Sequence, residues 1–151
     1  MAMQQLAADP GFLLSRVGAA VRAGFKDVIA GWGIRPLQFL ILQVLDARGG
    51  ISQQELCTAA RVDSGNMVEL LDGLESLGYA QRARDARDRR RYVVSLTPQG
   101  RSALAELRRA VREYNTRFLS PLTAPEQEQL ARTLGKLYAT TAGAQPGTSF
   151  Q

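Results

Sequence analysis

Between Ser52 and Gly100 the hydrophobic period switches from helical to alternating and back, and each switch is marked by a cap or a turn residue. Ser52 with Glu55 three residues on forms a capping box, which satisfies backbone N–H groups left over at a helix start, and it opens a short helix over "QQELCTAA". The following "RVDS" leaves room only for a tight turn before Asp63 or Ser64 caps a second helix running to about Leu77. Gly78 is placed to close that helix in the left-handed conformation that glycine adopts without steric cost. Beyond it, "YAQRAR" and "RYVVSL" read as strands flanking the polar turn "DARD". Tyr92, Val94 and Leu96 alternate with Val93 and Ser95, as a half-buried strand requires.

Two short helices joined by a brief turn also occur as ordinary neighbours in bundles. Followed by a two-stranded hairpin with an arginine-rich tip, they have the order of a winged helix-turn-helix. The flanks are helical. Leu13, Val17, Val21, Phe25, Val28 and Trp32 recur every three to four positions, and "GWGIRP" breaks that helix. The next, "PLQFLILQVLDARGG", is apolar on most sides and should be central. Thr97 and Pro98 start a long helix striped with Leu104, Leu107, Val111, Tyr114, Phe118 and Leu122. A last helix, capped by Thr123, carries Leu130, Leu134, Leu137 and Tyr138. The expected fold is mainly α with a small β-wing. It divides into an N-terminal dimerisation helix (1–34), a winged helix-turn-helix (35–99), C-terminal dimerisation helices (100–141) and a mobile tail (142–151). Terminal helices whose apolar stripes need a partner argue for a homodimer with symmetry-related heads.

Composition narrows the function. The chain has no histidine and one cysteine, Cys57, so the commonest general base, a zinc site and an intrachain disulfide are all missing. There is no Walker A loop, GxGxxG turn or GxSxG elbow, and no carboxylate pair stands out. The expectation is a non-enzyme without cofactor or metal. No uninterrupted apolar stretch is long enough to span a membrane and no secretory leader is visible at the N-terminus, which reads as a cytoplasmic protein with no membrane partner. Six arginines against two aspartates between Arg82 and Tyr92 carry +4 of the net charge of +5. A planar, always-charged donor concentrated on a narrow hairpin suits phosphates and the minor groove of double-stranded DNA.

In "RARDARDRRRYVVSLTPQGR" the chain resembles the MarR family of bacterial transcription regulators, whose wing reads R-x-x-x-x-D-x-R-x-x-x-V-x-L-T-x-x-G. Here the matching residues are Arg82 or Arg84, Asp88, Arg90, Val94, Leu96, Thr97 and Gly100, and the likeness extends over the helix pair and the overall helix order, roughly residues 12 to 141. The resemblance implies a homodimer, triangular in outline, that binds a pseudo-palindromic operator, usually represses nearby genes, and is often released by a small aromatic or acidic ligand.

On this reading the helix after the tight turn enters the major groove with Ser64, Gly65, Asn66, Met67 and Glu69, while Val68, Leu71, Leu74 and Leu77 face the core. Asn66 can bond adenine or help cap the helix, and Glu69 can accept from cytosine N4 or pair with an arginine. Many relatives carry arginine at the position of Glu69 and a basic residue at that of Gly73. The helix here is therefore poor in positive charge, leaving phosphate attraction to the wing and to helix dipoles. In the wing, Arg87 and Arg89 are assigned to the groove and Arg84 and Arg91 to flanking phosphates, with Asp88 a brace or turn residue. The family resemblance leaves Arg90 two roles: approaching DNA, or pairing with Asp72 to lock the wing to the recognition helix.

Ligand-binding candidates, by likeness to relatives, are Arg16, Phe25, Trp32, Phe39 and Tyr114. Two competing readings remain. One is a redox-responsive regulator using Cys57, a residue more often found as a small core side chain; the other is an architectural module that binds nucleic acid without sequence preference.

Overall fold

The computed structural model describes residues 8–141, and the chain packs as two units, Met1–Val111 and Arg112–Gln151. The 142–151 tail lies outside the described residues. In the first unit, α1 (Pro10–Ala30) is followed by α2 (Pro36–Arg48), β1 (Ile51–Ser52), α3 (Gln53–Ala60), α4 (Ser64–Ser76), β2 (Ala80–Arg84), β3 (Tyr92–Leu96) and the start of α5 (Pro98–Phe118). The unit boundary falls within α5, and α6 (Ala124–Thr141) lies in the second unit.

The local signals act as their chemistry dictates. Ser52 Oγ accepts from the Glu55 N–H at 3.2 Å and Glu55 Oε2 accepts from the Ser52 N–H at 2.9 Å, completing the capping box. Asp63, rather than Ser64, caps α4 by accepting from the Asn66 N–H at 3.0 Å. Gly78, at φ +75°, closes α4 in a Schellman arrangement: the Tyr79 N–H reaches the Leu74 carbonyl and the Gly78 N–H reaches that of Glu75, each at 2.9 Å. Thr97 Oγ1 accepts from the Gly100 N–H at 2.9 Å and starts α5.

The core of the first unit centres on α2. Ile41, Leu42 and Leu45 pack with Leu56 of α3, Leu70, Leu71 and Leu74 of α4, Val94 and Leu96 of β3, and Leu104 and Leu107 of α5. Ile51 pairs with Val94, and Ser52 pairs with Val93. The wing is thus the long part of a three-stranded antiparallel sheet of order β1-β3-β2, not a free two-stranded hairpin. Its root is anchored on both sides of β3, with Ala80 opposite Leu96 and Arg84 opposite Tyr92.

The stripe of α1 is covered only toward its C-terminal end. Ile29 is buried and Phe25 and Trp32 are half-buried, whereas Phe12, Leu13, Leu14 and Val17 are exposed. In the second unit, α6 buries no residue and exposes Leu134, Leu137 and Tyr138. Among the described residues no helix is long and apolar enough to cross a membrane.

Candidate nucleic-acid interface

Leu71 and Leu74 of α4 are buried as expected and Leu77 is half-buried, but one inward position differs from the sequence reading. Met67, expected on the reading face, is fully buried, and Val68, expected in the core, is 42% exposed. The buried set Met67, Leu70, Leu71 and Leu74 follows i, i+3, i+4, i+7, so a second-turn inward position belongs to Met67 and Val68 falls outside it. Ser64, Gly65, Asn66 and Glu69 remain on the exposed side.

Two exposed polar residues of α4, Asn66 and Glu69, are engaged within the chain. Asn66 Nδ2 donates to Asp63 Oδ2 at 2.5 Å, so its side chain supports the capping carboxylate. Asp63 brings its own carboxylate to the positive end of α4, and these bonds from Asn66 hold its pKa below the ordinary aspartate value. That charge offsets the helix dipole where attraction of a phosphate was expected. Glu69 pairs with Arg35, the residue before α2, at 3.1 Å. Gly73, a puzzling gap in the middle of a helix, has a packing reason. A side chain there would place its Cβ 2.6 Å from Gln38 Nε2, and Gln38 is a buried polar residue that reaches across to donate to the Leu70 carbonyl at 3.1 Å.

The wing is braced by a residue other than the one assigned. Arg90 was one expected partner of Asp72; the structure puts Arg82 there instead, donating to Asp72 and, at 2.6 Å, to Glu75. Arg82 stands on β2 just after the turn that closes α4, whereas Arg90 sits at the exposed tip beyond the end of the strands. The Arg82 N–H also donates to Glu75 Oε1 at 2.8 Å, and the Arg82 side-chain bond, opposed by burial, holds the Glu75 carboxyl below its usual pKa while raising that of the guanidinium. One guanidinium thereby fastens the root of the wing to two successive turns of α4.

At the tip, both aspartates are folding residues. Asp85 Oδ1 accepts from the Arg87 N–H at 2.8 Å and Asp88 Oδ1 from the Arg90 N–H at 3.0 Å, forming Asx turns that shape residues 85–91. Asp88 is therefore a turn residue. Arg84, assigned to phosphates, lies over the Tyr92 ring at 4.5 Å and donates to the Arg89 carbonyl at 2.7 Å, a cation–π contact that stiffens the hairpin. Arg87, Arg89, Arg90 and Arg91 are exposed. Arg91 borders a shallow cleft of about 290 Å³ with Arg48, Ser52, Gln54, Glu55 and Thr58.

The ligand candidates do not all come together. Phe25 and Phe39 meet edge to face with centroids 5.5 Å apart, and Trp32 is half-buried, its carbonyl accepting from the Tyr79 hydroxyl at 3.4 Å. Arg16 is exposed roughly 13 Å along α1 from Phe25 at the helical rise per residue. Tyr114 lies in the second unit beside Phe118, with ring centroids 5.9 Å apart. Cys57 is half-buried against the core, and burial, followed by the charge of Asp63, pushes its thiol up, which disfavours the reactive thiolate.

Sequence reasoning missed Arg35, Gln38 and Glu75, and it did not give Arg82 the bracing role. The interior glycine of α4 was the one available sign of a close approach from another element.

Comparison with known proteins agrees with this architecture. The MarR family model matches residues 32–91. An HTH-type transcriptional repressor of Mycobacterium tuberculosis is 33% identical over 84% of this chain and 91% of its own length. Among solved structures, the transcriptional repressor CouR bound to a 23-mer DNA duplex is 31% identical with a TM-score of 0.75, covering 90% of this chain and 96% of CouR. The PcaV transcriptional regulator of Streptomyces coelicolor, in complex with its natural ligand, is 25% identical with a TM-score of 0.67, covering 89% of this chain and 94% of PcaV. These relatives are transcriptional regulators, not enzymes. With the winged helix-turn-helix in place and relatives this similar over nearly their whole length, the chain belongs to the MarR family.

Proposed function

We propose that this protein is a homodimeric, sequence-specific DNA-binding regulator that represses transcription from a pseudo-palindromic operator. The observation that carries the reading is the wing: Arg87, Arg89, Arg90 and Arg91 are exposed on a narrow tip whose aspartates are consumed in its turns, and whose root is tied by Arg82 to the helix beside it. That arrangement presents positive charge to a groove while holding α4 in register with it. The DNA-bound structure of CouR, a repressor with the same fold, supports it. The uncovered apolar residues of α1 and of α6 support a second copy as the partner of each.

In this reading a small aromatic or acidic ligand releases the operator. PcaV, solved with its natural ligand, and the half-buried Phe25, Phe39 and Trp32 support that step. A footprint of the full chain on DNA upstream of its own and neighbouring genes tests the proposal. Two protected half-sites about one helical turn apart, roughly 10 bp, are expected; uniform protection without half-sites would instead identify an architectural binder.

A further inference from the structure

Glu69 and Arg35 meet on the exposed side of α4, and a buried relay ties the segments that carry them. Arg35 Nη2 donates to Glu69 Oε1 at 3.1 Å. Its backbone is held independently, because the Arg35 N–H donates to Gln38 Oε1 at 2.9 Å. The amide nitrogen of the same buried Gln38 donates to the carbonyl of Leu70, the residue next to Glu69, and Gly73 keeps the space that this crossing needs. The start of α2 is thus registered to the second turn of α4 through the core, and the surface pair stands on that registration. The Glu69 side chain itself is 71% exposed.

From this arrangement we infer that Glu69 is a specificity-determining residue that reads cytosine, resting on the DNA-binding reading above, and that Arg35 is the residue that positions it. Free in solution, a carboxylate facing DNA is repelled by phosphates. The Glu69–Arg35 pair has no net charge, and Oε1 is occupied, leaving Oε2 as a directed acceptor. A carboxylate accepts hydrogen bonds and donates none, so guanine O6 and N7 and thymine O4, which are acceptors, are rejected. Adenine offers its N6 donor beside the N7 acceptor, whereas cytosine offers its N4 donor with no acceptor beside it in the groove. The match is to cytosine N4.

The test is selection of binding sites from a duplex library with a randomised central segment, run on the full chain and on Glu69→Gln, Glu69→Ala and Arg35→Ala, with thermal melting to verify that each folds. The parent should select a cytosine at one position of each half-site. Glu69→Gln, whose amide suits adenine N6 and N7, should move the preference at that position to adenine and leave the rest of the site unchanged. Glu69→Ala and Arg35→Ala should each weaken discrimination there roughly tenfold or more. Selection of the same site by all four proteins would overturn the assignment while leaving the DNA-binding reading intact. Failure of the parent to select any site would overturn that reading and this inference with it.

Discussion

Arg82 on β2 and Glu75 on α4 are joined twice, by a guanidinium bond of 2.6 Å and by a backbone N–H bond of 2.8 Å to the other carboxylate oxygen. The strand that leads into the wing and the helix beside it therefore move as one body. The pair is partly shielded, with side-chain exposures of 21% and 30%, which places it between a weak surface ion pair and a costly buried one.

Replacing Arg82 with Ala removes the guanidinium from both Glu75 and Asp72 but leaves the backbone bond to Glu75 in place. The expected loss is about 1–2 kcal/mol of stability, read as a melting temperature lower by roughly 3–6 °C. Amide exchange in β2 and at the tip should quicken, and affinity for DNA should fall. Arg82→Lys should recover only part of this, since a single ammonium lacks the fork that spans two carboxylates. Unchanged exchange in β2 would show that the hairpin needs no brace.

Gly100 permits an approach no other residue tolerates. A Cβ there would lie 1.8 Å from the Tyr79 carbonyl oxygen, a backbone atom that also accepts from the Thr97 N–H at 3.1 Å. Gly100→Ala must push the start of β2 away from the start of α5. A cost of about 2–3 kcal/mol follows, and thermal melting should fall by roughly 5–10 °C. A melting temperature equal to that of the parent would mean that the two segments are not held this close.

Acid should unfold the protein partly through Glu75. Its pKa in the fold lies below the ordinary 4.5, chiefly because of the bond from the Arg82 side chain, with burial opposing. For a depressed carboxylate the stabilisation is fully present above the unfolded value and is lost as the pH drops through the folded one. Melting temperatures measured from neutral pH down to about pH 3 should therefore decline more gently in Glu75→Gln than in the parent, with the parent superior only at the higher pH. Parallel curves would remove Glu75 from the account; Asp63 and Glu55, also depressed by hydrogen bonds, would then be the next groups to replace.

The double variant Arg87→Ala with Arg89→Ala should bind every DNA sequence less tightly and reduce the dependence of log affinity on log salt by about 1 to 2 for each wing that engages DNA. Titrations at several salt concentrations measure this directly. Loss of preference for one sequence with an unaltered salt slope would instead assign these arginines to base edges.

What could be read without coordinates was whatever depends on neighbours along the chain. The Ser52–Glu55 box, the Gly78 terminus, the Thr97 cap and the alternation of Val94 and Leu96 each rest on interactions within a few residues, and each holds in the structure. In α4 Leu71 and Leu74 fell where expected but Met67 took the inward place assigned to Val68, because both are apolar and only tertiary packing distinguishes them. The sheet gained β1 because strand pairing between Ile51 and Val94 joins segments far apart in sequence. Composition located the arginines but could not sort them: Arg82 became a brace, Arg84 a stiffener and Arg87 an exposed tip residue, according to which carboxylate, ring or carbonyl the fold brought near. Sequence by itself determined the elements, their order and the concentration of charge, since caps, turns and periodicity are local. Tertiary structure alone decided the partners, among them Arg35 for Glu69 at the surface and Gln38 for the space at Gly73 in the core, because those pairings join segments far apart in the chain that share no sequence signal.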